Sequence, residues 1–159
     1  MDTNDLISRG KEIAAHKQDF TLLPEAWRAY NEEHSCEWNQ KPLKKENKSN
    51  IPNKSGVYNL IVEPNIACHP SCGYLMYVGE TKDLQRRFSE YLLEVDEEKG
   101  RPMIRKLLFM WKGFVKFYYI KVCQERKEEV QDSMINAFRP PYNIAMDASV
   151  GQPQKAFGP

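Results

Sequence analysis

Long apolar runs are missing from this 159-residue chain, and its mean hydropathy is −0.68. No stretch approaches the roughly 20 residues that a membrane-spanning helix needs, so no membrane partner is expected. The opening "MDTNDLISRGKEIAAHK" lacks a signal-peptide pattern, and a cytoplasmic protein with reduced thiols is the expectation. An excess of one charge is missing too. Twenty-three Lys and Arg against 22 Asp and Glu leave a net charge of +1. No overall field announces nucleic acid or membrane, although local blocks exist. "KPLKKENKSNIPNK" (41–54) is basic and "EVDEEK" (94–99) is acidic. Cysteine is sparse. Four are present, and "HSC" (34–36) and "CHPSC" (68–72) do not have the Cys-x2-Cys spacing of common zinc modules. Free thiols beside a proline turn are the favoured reading over structural zinc at Cys68 and Cys72.

The chain is long enough for one domain with its own core and an N-terminal extension. Residues 5–17 and 24–33 read as helices, the second with Pro24 in its first turn. Residues 37–55 are polar, basic and rich in Asn, Lys and Pro, and read as a loop or linker. From residue 56 the pattern changes. "GVYNLIVEP" (56–64) and "GYLMYVG" (73–79) read as strands that pair as an antiparallel hairpin, with "CHPSC" at its tip. Strand alternation sets Tyr58, Leu60 and Val62 on one face of the first strand, and Leu75, Tyr77 and Gly79 on one face of the second. Residues 81–95 read as a helix with Leu84, Phe88, Tyr91, Leu92 and Val95 on one stripe. Residues 101–111 form another, 114–122 a third strand, and 126–138 a last helix. Apolar side chains on both faces of each strand call for helices on both sides of the sheet. The expected fold class is α/β: a small domain around a three-stranded antiparallel sheet covered by helices, with a helical N-terminal extension. The expected divisions are 1–53 for the extension and basic loop, 54–145 for the domain and 146–159 for a tail.

A hairpin of this kind can set Tyr58 beside Tyr77. Paired tyrosines in a sheet are more often core than catalytic. Arg87 lies about 60° from the centre of its helix's apolar stripe, at the edge of the buried face, while Arg86 points away. A solvated basic face explains both arginines. The functional alternative is a phosphate contact, because guanidinium forks match phosphate oxygens. On the last helix, Val130, Met134, Ile135 and Phe138 share one side, and Gln131 lies among them. A polar side chain aimed at a core needs hydrogen-bond partners or a chemical role.

"GVY" at 56–58, "YVG" at 77–79, "TKDLQRRF" directly after and "MINAFRPPYN" near the end together resemble the GIY-YIG nuclease superfamily over about residues 54–145. Each motif alone is weak; their order and separations make the resemblance. It implies a divalent-metal-dependent DNA endonuclease that hydrolyses phosphodiester bonds. Tyr58 and Tyr77 match the tyrosines that orient and help deprotonate the attacking water. Arg87 matches the arginine that stabilises charge on the phosphate, and Asn143 the terminal asparagine near the site. Lys82 matches a polar or basic position of weaker role. Glu80 stands where some members carry lysine.

The family's metal-binding glutamate, counted back from Asn143, falls on Gln131. An amide has nearly the shape of a carboxylate and no charge, so it holds a hard cation such as Mg2+ or Mn2+ poorly. Two readings follow. One is a nuclease inactivated by glutamine in place of glutamate. The other is a naturally non-catalytic nucleic-acid-binding or assembly module. The first is favoured, because every other matched position is in order. Glu128, one turn earlier, is a weaker substitute ligand. Arg86, Lys82, Lys44, Lys45 and Lys48 are the expected DNA contacts. Two cuts need two active sites, so a homodimer, or a larger complex that supplies specificity, suits so short a chain. Restriction, mobile-element and phage-defence settings all remain open.

Overall fold

The computed structural model describes residues 18–67, 72–96 and 101–144. The helix expected at 5–17, Cys68 of the zinc reading and the tail at 146–159 lie outside them. β2 (Gly56–Val62) is buried on both faces along nearly its whole length, as its near-continuous apolar run requires. It pairs antiparallel with β3 (Tyr74–Thr81) on one side and β4 (Val115–Lys121) on the other. A fourth strand extends the sheet. β1 (Asn39–Pro42) pairs with β4, so the order is β1-β4-β2-β3. The fold class is the one read from the sequence, with four strands among the described residues where three were expected. β1 is a four-residue polar edge strand, "NQKP", with no alternation to betray it. A 3-10 helix (Lys45–Asn50) follows it, in the remainder of the segment read as a loop.

Helices cover both faces. On face A lie α2 (Leu84–Asp96) and α3 (Pro102–Met110), which bury Leu84, Phe88, Tyr91, Ile104, Leu107 and Leu108 against Tyr58, Leu60 and Phe117. On face B lie α1 (Pro24–Glu33) and α4 (Lys127–Phe138), which close over Val57, Val78 and Ile120. α1 joins the domain through Tyr30, whose ring meets Phe138 edge-on at 5.1 Å. α2 starts at Leu84, the first residue of its apolar stripe, and not at 81 as expected, because Asp83 caps it. The Asp83 side chain accepts the Arg86 N–H at 2.9 Å.

One irregularity changes a face assignment. Leu60 lies opposite Tyr77, but Ile61 lies opposite Leu75, so Met76 is an extra residue in β3. Strict alternation placed Leu75 with Tyr77 and Gly79. The bulge instead sends Leu75 to the face-B cluster and keeps Met76 and Tyr77 together on face A.

α4 ends at Arg139, whose φ of 47° is left-handed, and Pro140 follows. The short helix α5 (Pro141–Ile144) then wraps the outer edge of β3 and delivers Tyr142 to the face-A core.

Candidate active site

Register places Tyr58 directly opposite Gly79 on the hairpin, and Leu60 opposite Tyr77. Both tyrosines therefore stand on face A, with ring centres 6.2 Å apart. The glycine is required by packing. A Cβ on Gly79 would fall 2.3 Å from the Tyr58 hydroxyl oxygen, so the phenol can fold across β3 only because nothing projects there. Gly56 is also confined: its Cβ would meet the Ile120 carbonyl oxygen at 2.2 Å. The glycines of both short motifs are thus places where strand, ring and helix approach closely.

Tyr58 is 1% exposed and stacks on Phe117 at 5.1 Å. Its hydroxyl shares a 2.7 Å hydrogen bond with that of Tyr91 on α2. Burial, reinforced by Tyr91 and Tyr77, pushes the Tyr58 phenol well above its ordinary value, while the charge of Arg87 opposes the shift. Tyr91 is raised as well, by burial first, with Arg101 and Arg87 opposing. Neither phenol is a ready base at neutral pH. What they offer is a fixed chain of hydroxyls.

Arg87 projects from the first turn of α2. Its Nη1 donates to Glu90 at 2.7 Å, and its Nε is buried with no hydrogen-bond partner. Arg101, at the start of α3, donates to Tyr77 Oη at 3.0 Å and to Tyr91 Oη at 2.8 Å. Glu94, one turn beyond Tyr91, is buried and leaves Oε2 without a partner. Burial raises its carboxyl above the usual range, partly offset by Arg101 and Arg87. The cluster thus combines three phenols, two guanidiniums and a carboxylate under α2 and α3. An oxyanion with several acceptor oxygens is the ligand that such donors suit.

Tyr58, Tyr77 and Arg87 come together here. Asn143 does something different. Its amide accepts the Val78 N–H at 2.8 Å and donates to the Val78 carbonyl at 2.7 Å, which satisfies both backbone groups of an edge residue of β3. It fastens α5 to the sheet edge. Gln131 lies on α4, the helix that packs its apolar side on face B, and is partly buried. It stands one turn after Lys127, whose ammonium pairs with Glu80 of β3. Lys82, Arg86, Lys44, Lys45 and Lys48 are all exposed. Arg86 pairs with Glu90, and Gln85 ties α2 to the 3-10 helix through the Lys48 and Ile51 carbonyls.

The divalent cation that the resemblance implies does not fit the residues present. Among the described residues no three His, Cys, Asp or Glu side chains group as a metal site. Gln131 supplies a neutral amide. Cys36, Cys72 and Cys123 are free thiols. No helix among the described residues is long and apolar enough to cross a membrane.

Sequence reasoning missed Tyr91, Glu94 and Arg101. Tyr91 was counted as an apolar stripe residue. The signal was available: Arg87, Tyr91 and Glu94 follow one another at i, i+4 and i+7, which sets three polar groups along one side of a helix. Arg101 carries no such spacing, since it belongs to the next element.

Comparison with known proteins agrees with the motifs. The family model of the GIY-YIG catalytic domain matches residues 66–143, which include Tyr77, Arg87, Gln131 and Asn143 and begin after Tyr58. No curated protein matches the chain. Among solved structures it is similar to the GIY-YIG N-terminal endonuclease domain of UvrC from Thermotoga maritima, a point mutant bound to its catalytic divalent cation. Identity is 18%, coverage is 63% of this chain and 97% of that one, and the TM-score is 0.43. By its motifs and the matching family model, this chain carries a GIY-YIG catalytic domain over residues 66–143.

Proposed function

We propose that this chain is a DNA endonuclease of the GIY-YIG type, with phosphodiester hydrolysis disabled by Gln131. The observation that carries the reading is the meeting of Tyr58, Tyr77 and Arg87 on face A. There Arg87 keeps a buried, unpartnered Nε donor, and its charge acts on the phenols of Tyr58 and Tyr91. A cation beside fixed hydroxyls is suited to a scissile phosphate and to the charge that grows on it during hydrolysis. Gln131 has the length of glutamate without its charge, so the active parent carries a carboxylate there and uses Mg2+ or Mn2+. DNA follows the exposed lysines and arginine near the start of α2: Lys82, Arg86, Lys44, Lys45 and Lys48. Asn143 serves the site by holding α5 and β3 in place. A homodimer, or a larger assembly, supplies the second cut or the sequence preference. The second reading, a binding module that never cuts, draws on Gln131 itself.

The deciding experiment is single-turnover cleavage of linear, supercoiled and branched DNA in Mn2+ and Mg2+, comparing the chain with its Gln131→Glu variant. The expected outcome is a gain of about 100- to 1000-fold or more on restoring the carboxylate. Equal rates would remove Gln131 from the metal position. No cleavage by either form would favour the binding module. DNA affinity without metal should fall steeply with salt, by about 0.9 log units per log of salt for each phosphate contact on duplex DNA. Substituting Lys44, Lys45 and Lys48 by alanine should flatten that slope. An unchanged slope would take the 3-10 segment out of the DNA path.

A further inference from the structure

One guanidinium joins phenols from two separate elements. Arg101 sits just before α3, where its side chain makes no capping hydrogen bond to that helix. It reaches sideways instead. Nη1 donates to Tyr77 Oη on β3 at 3.0 Å and Nη2 to Tyr91 Oη on α2 at 2.8 Å. The guanidinium carbon lies 5.4 Å from the Tyr77 ring centre and 5.8 Å from that of Tyr91. Tyr91 passes the contact on, because its oxygen is 2.7 Å from that of Tyr58. Rotation about the last side-chain bonds would otherwise leave the direction of each hydroxyl open.

A role in holding α3 down does not explain this arrangement. α3 is already anchored by Ile104, Leu107 and Leu108, each at most 2% exposed. Nor does charge alone explain it. Holding two oxygens on different elements in fixed directions suits a planar fork with donors on two nitrogens better than a single rotating ammonium on a flexible stem.

We propose that Arg101 is a positioning residue of the site: it fixes the hydroxyls of Tyr77 and Tyr91 and, through Tyr91, that of Tyr58. Its consequence for cleavage rests on the nuclease reading; its effect on the phenols does not.

Two measurements test it. The first uses the chain as it stands, with aromatic carbon labelling and NMR ring-flip rates for Arg101→Lys and Arg101→Met. Faster flips of Tyr77 and Tyr91 are expected in both variants, with the melting temperature and the Ile104 and Leu107 methyl shifts nearly unchanged. Arg101→Lys keeps the charge and the stem, so it serves alone if the methionine variant does not fold. Flip rates equal to the parent's would overturn the proposal. The second measurement adds Arg101→Lys to Gln131→Glu. The single-turnover rate should drop about 10- to 100-fold, as small misplacements of reacting groups do, with DNA affinity and salt slope unchanged. Weaker binding with a flatter slope and an intact rate would make Arg101 a phosphate contact and overturn the positioning role. If Gln131→Glu cuts no DNA, the nuclease reading fails, and the ring-flip measurement alone decides on Arg101.

Discussion

Face A presents Tyr58, Tyr77, Phe117 and Tyr119 to its helices, which answer with Phe88, Tyr91 and the guanidiniums of Arg87 and Arg101. Face B presents Val57, Val78 and Ile120, and α4 answers with Val130, Met134, Ile135 and Ala137. Both faces leave buried polar atoms without hydrogen bonds. On face B these include the neutral Tyr30 hydroxyl and Asn59 Oδ1. On face A they belong to ionisable groups, Arg87 Nε and Glu94 Oε2. A charged side chain with an unmet hydrogen bond is costlier to bury than an idle neutral group, even where another of its atoms is paired, as Arg87 is with Glu90. Face B therefore supports the fold, and face A uses part of that stability to hold charged groups ready.

The sharpest way to break this comparison is to empty each face in turn. Phe117→Ala removes a ring with no exposure that touches Tyr58, Phe88 and Tyr91. It should cost about 3–5 kcal/mol in urea unfolding and loosen the Tyr58 ring. Met134→Ala on face B should cost about 2–5 kcal/mol and leave the Tyr58 signals in place. If both moved Tyr58 equally, the faces would not be separate units.

Next in size is the sheet edge. Asn143→Ala strands both backbone groups of Val78, and a loss of about 1–3 kcal/mol is expected. Faster amide exchange at Val78 should accompany it. Unchanged exchange would mean that Asn143 does not hold the edge.

The smallest expected effect separates two carboxylates by pH. Burial raises Glu94 on net, so its charged form is disfavoured by folding. That penalty is absent below the ordinary value of 4.5 and grows as pH rises through the folded value. Glu94→Gln should therefore raise the melting temperature at neutral pH, and the gain should vanish toward pH 4.5 and below. Glu63, on face B, has the opposite sign. Burial alone would raise it, but its hydrogen bonds to Lys116 and Tyr118 outweigh that and lower it on net. Its stabilisation is present above 4.5 and is lost as pH falls through the folded value. Glu63→Gln should thus melt lower at neutral pH, with the deficit shrinking in acid. Parallel pH curves for the two variants would erase the contrast.

The sequence by itself determined the strand–strand–helix–helix–strand–helix order, the Tyr58 and Tyr77 parity and the buried edge of α2. All three follow from local periodicity, two residues along a strand and 3.6 along a helix. It also exposed Gln131, because an amide within an apolar stripe stands out. Only the tertiary structure decided the rest. β1 forms because β4 offers an open edge, a condition that no feature of "NQKP" records. The Met76 bulge depends on pairing with β2, and it moved Leu75 to the other face. Asn143 had a motif but no visible partner until α5 met Val78 across 65 residues of sequence. Arg101 had neither motif nor period. Its place beside Tyr77 and Tyr91 follows from how α3 docks against α2 and β3, and such docking is a property of packed surfaces that spacing along one chain does not encode.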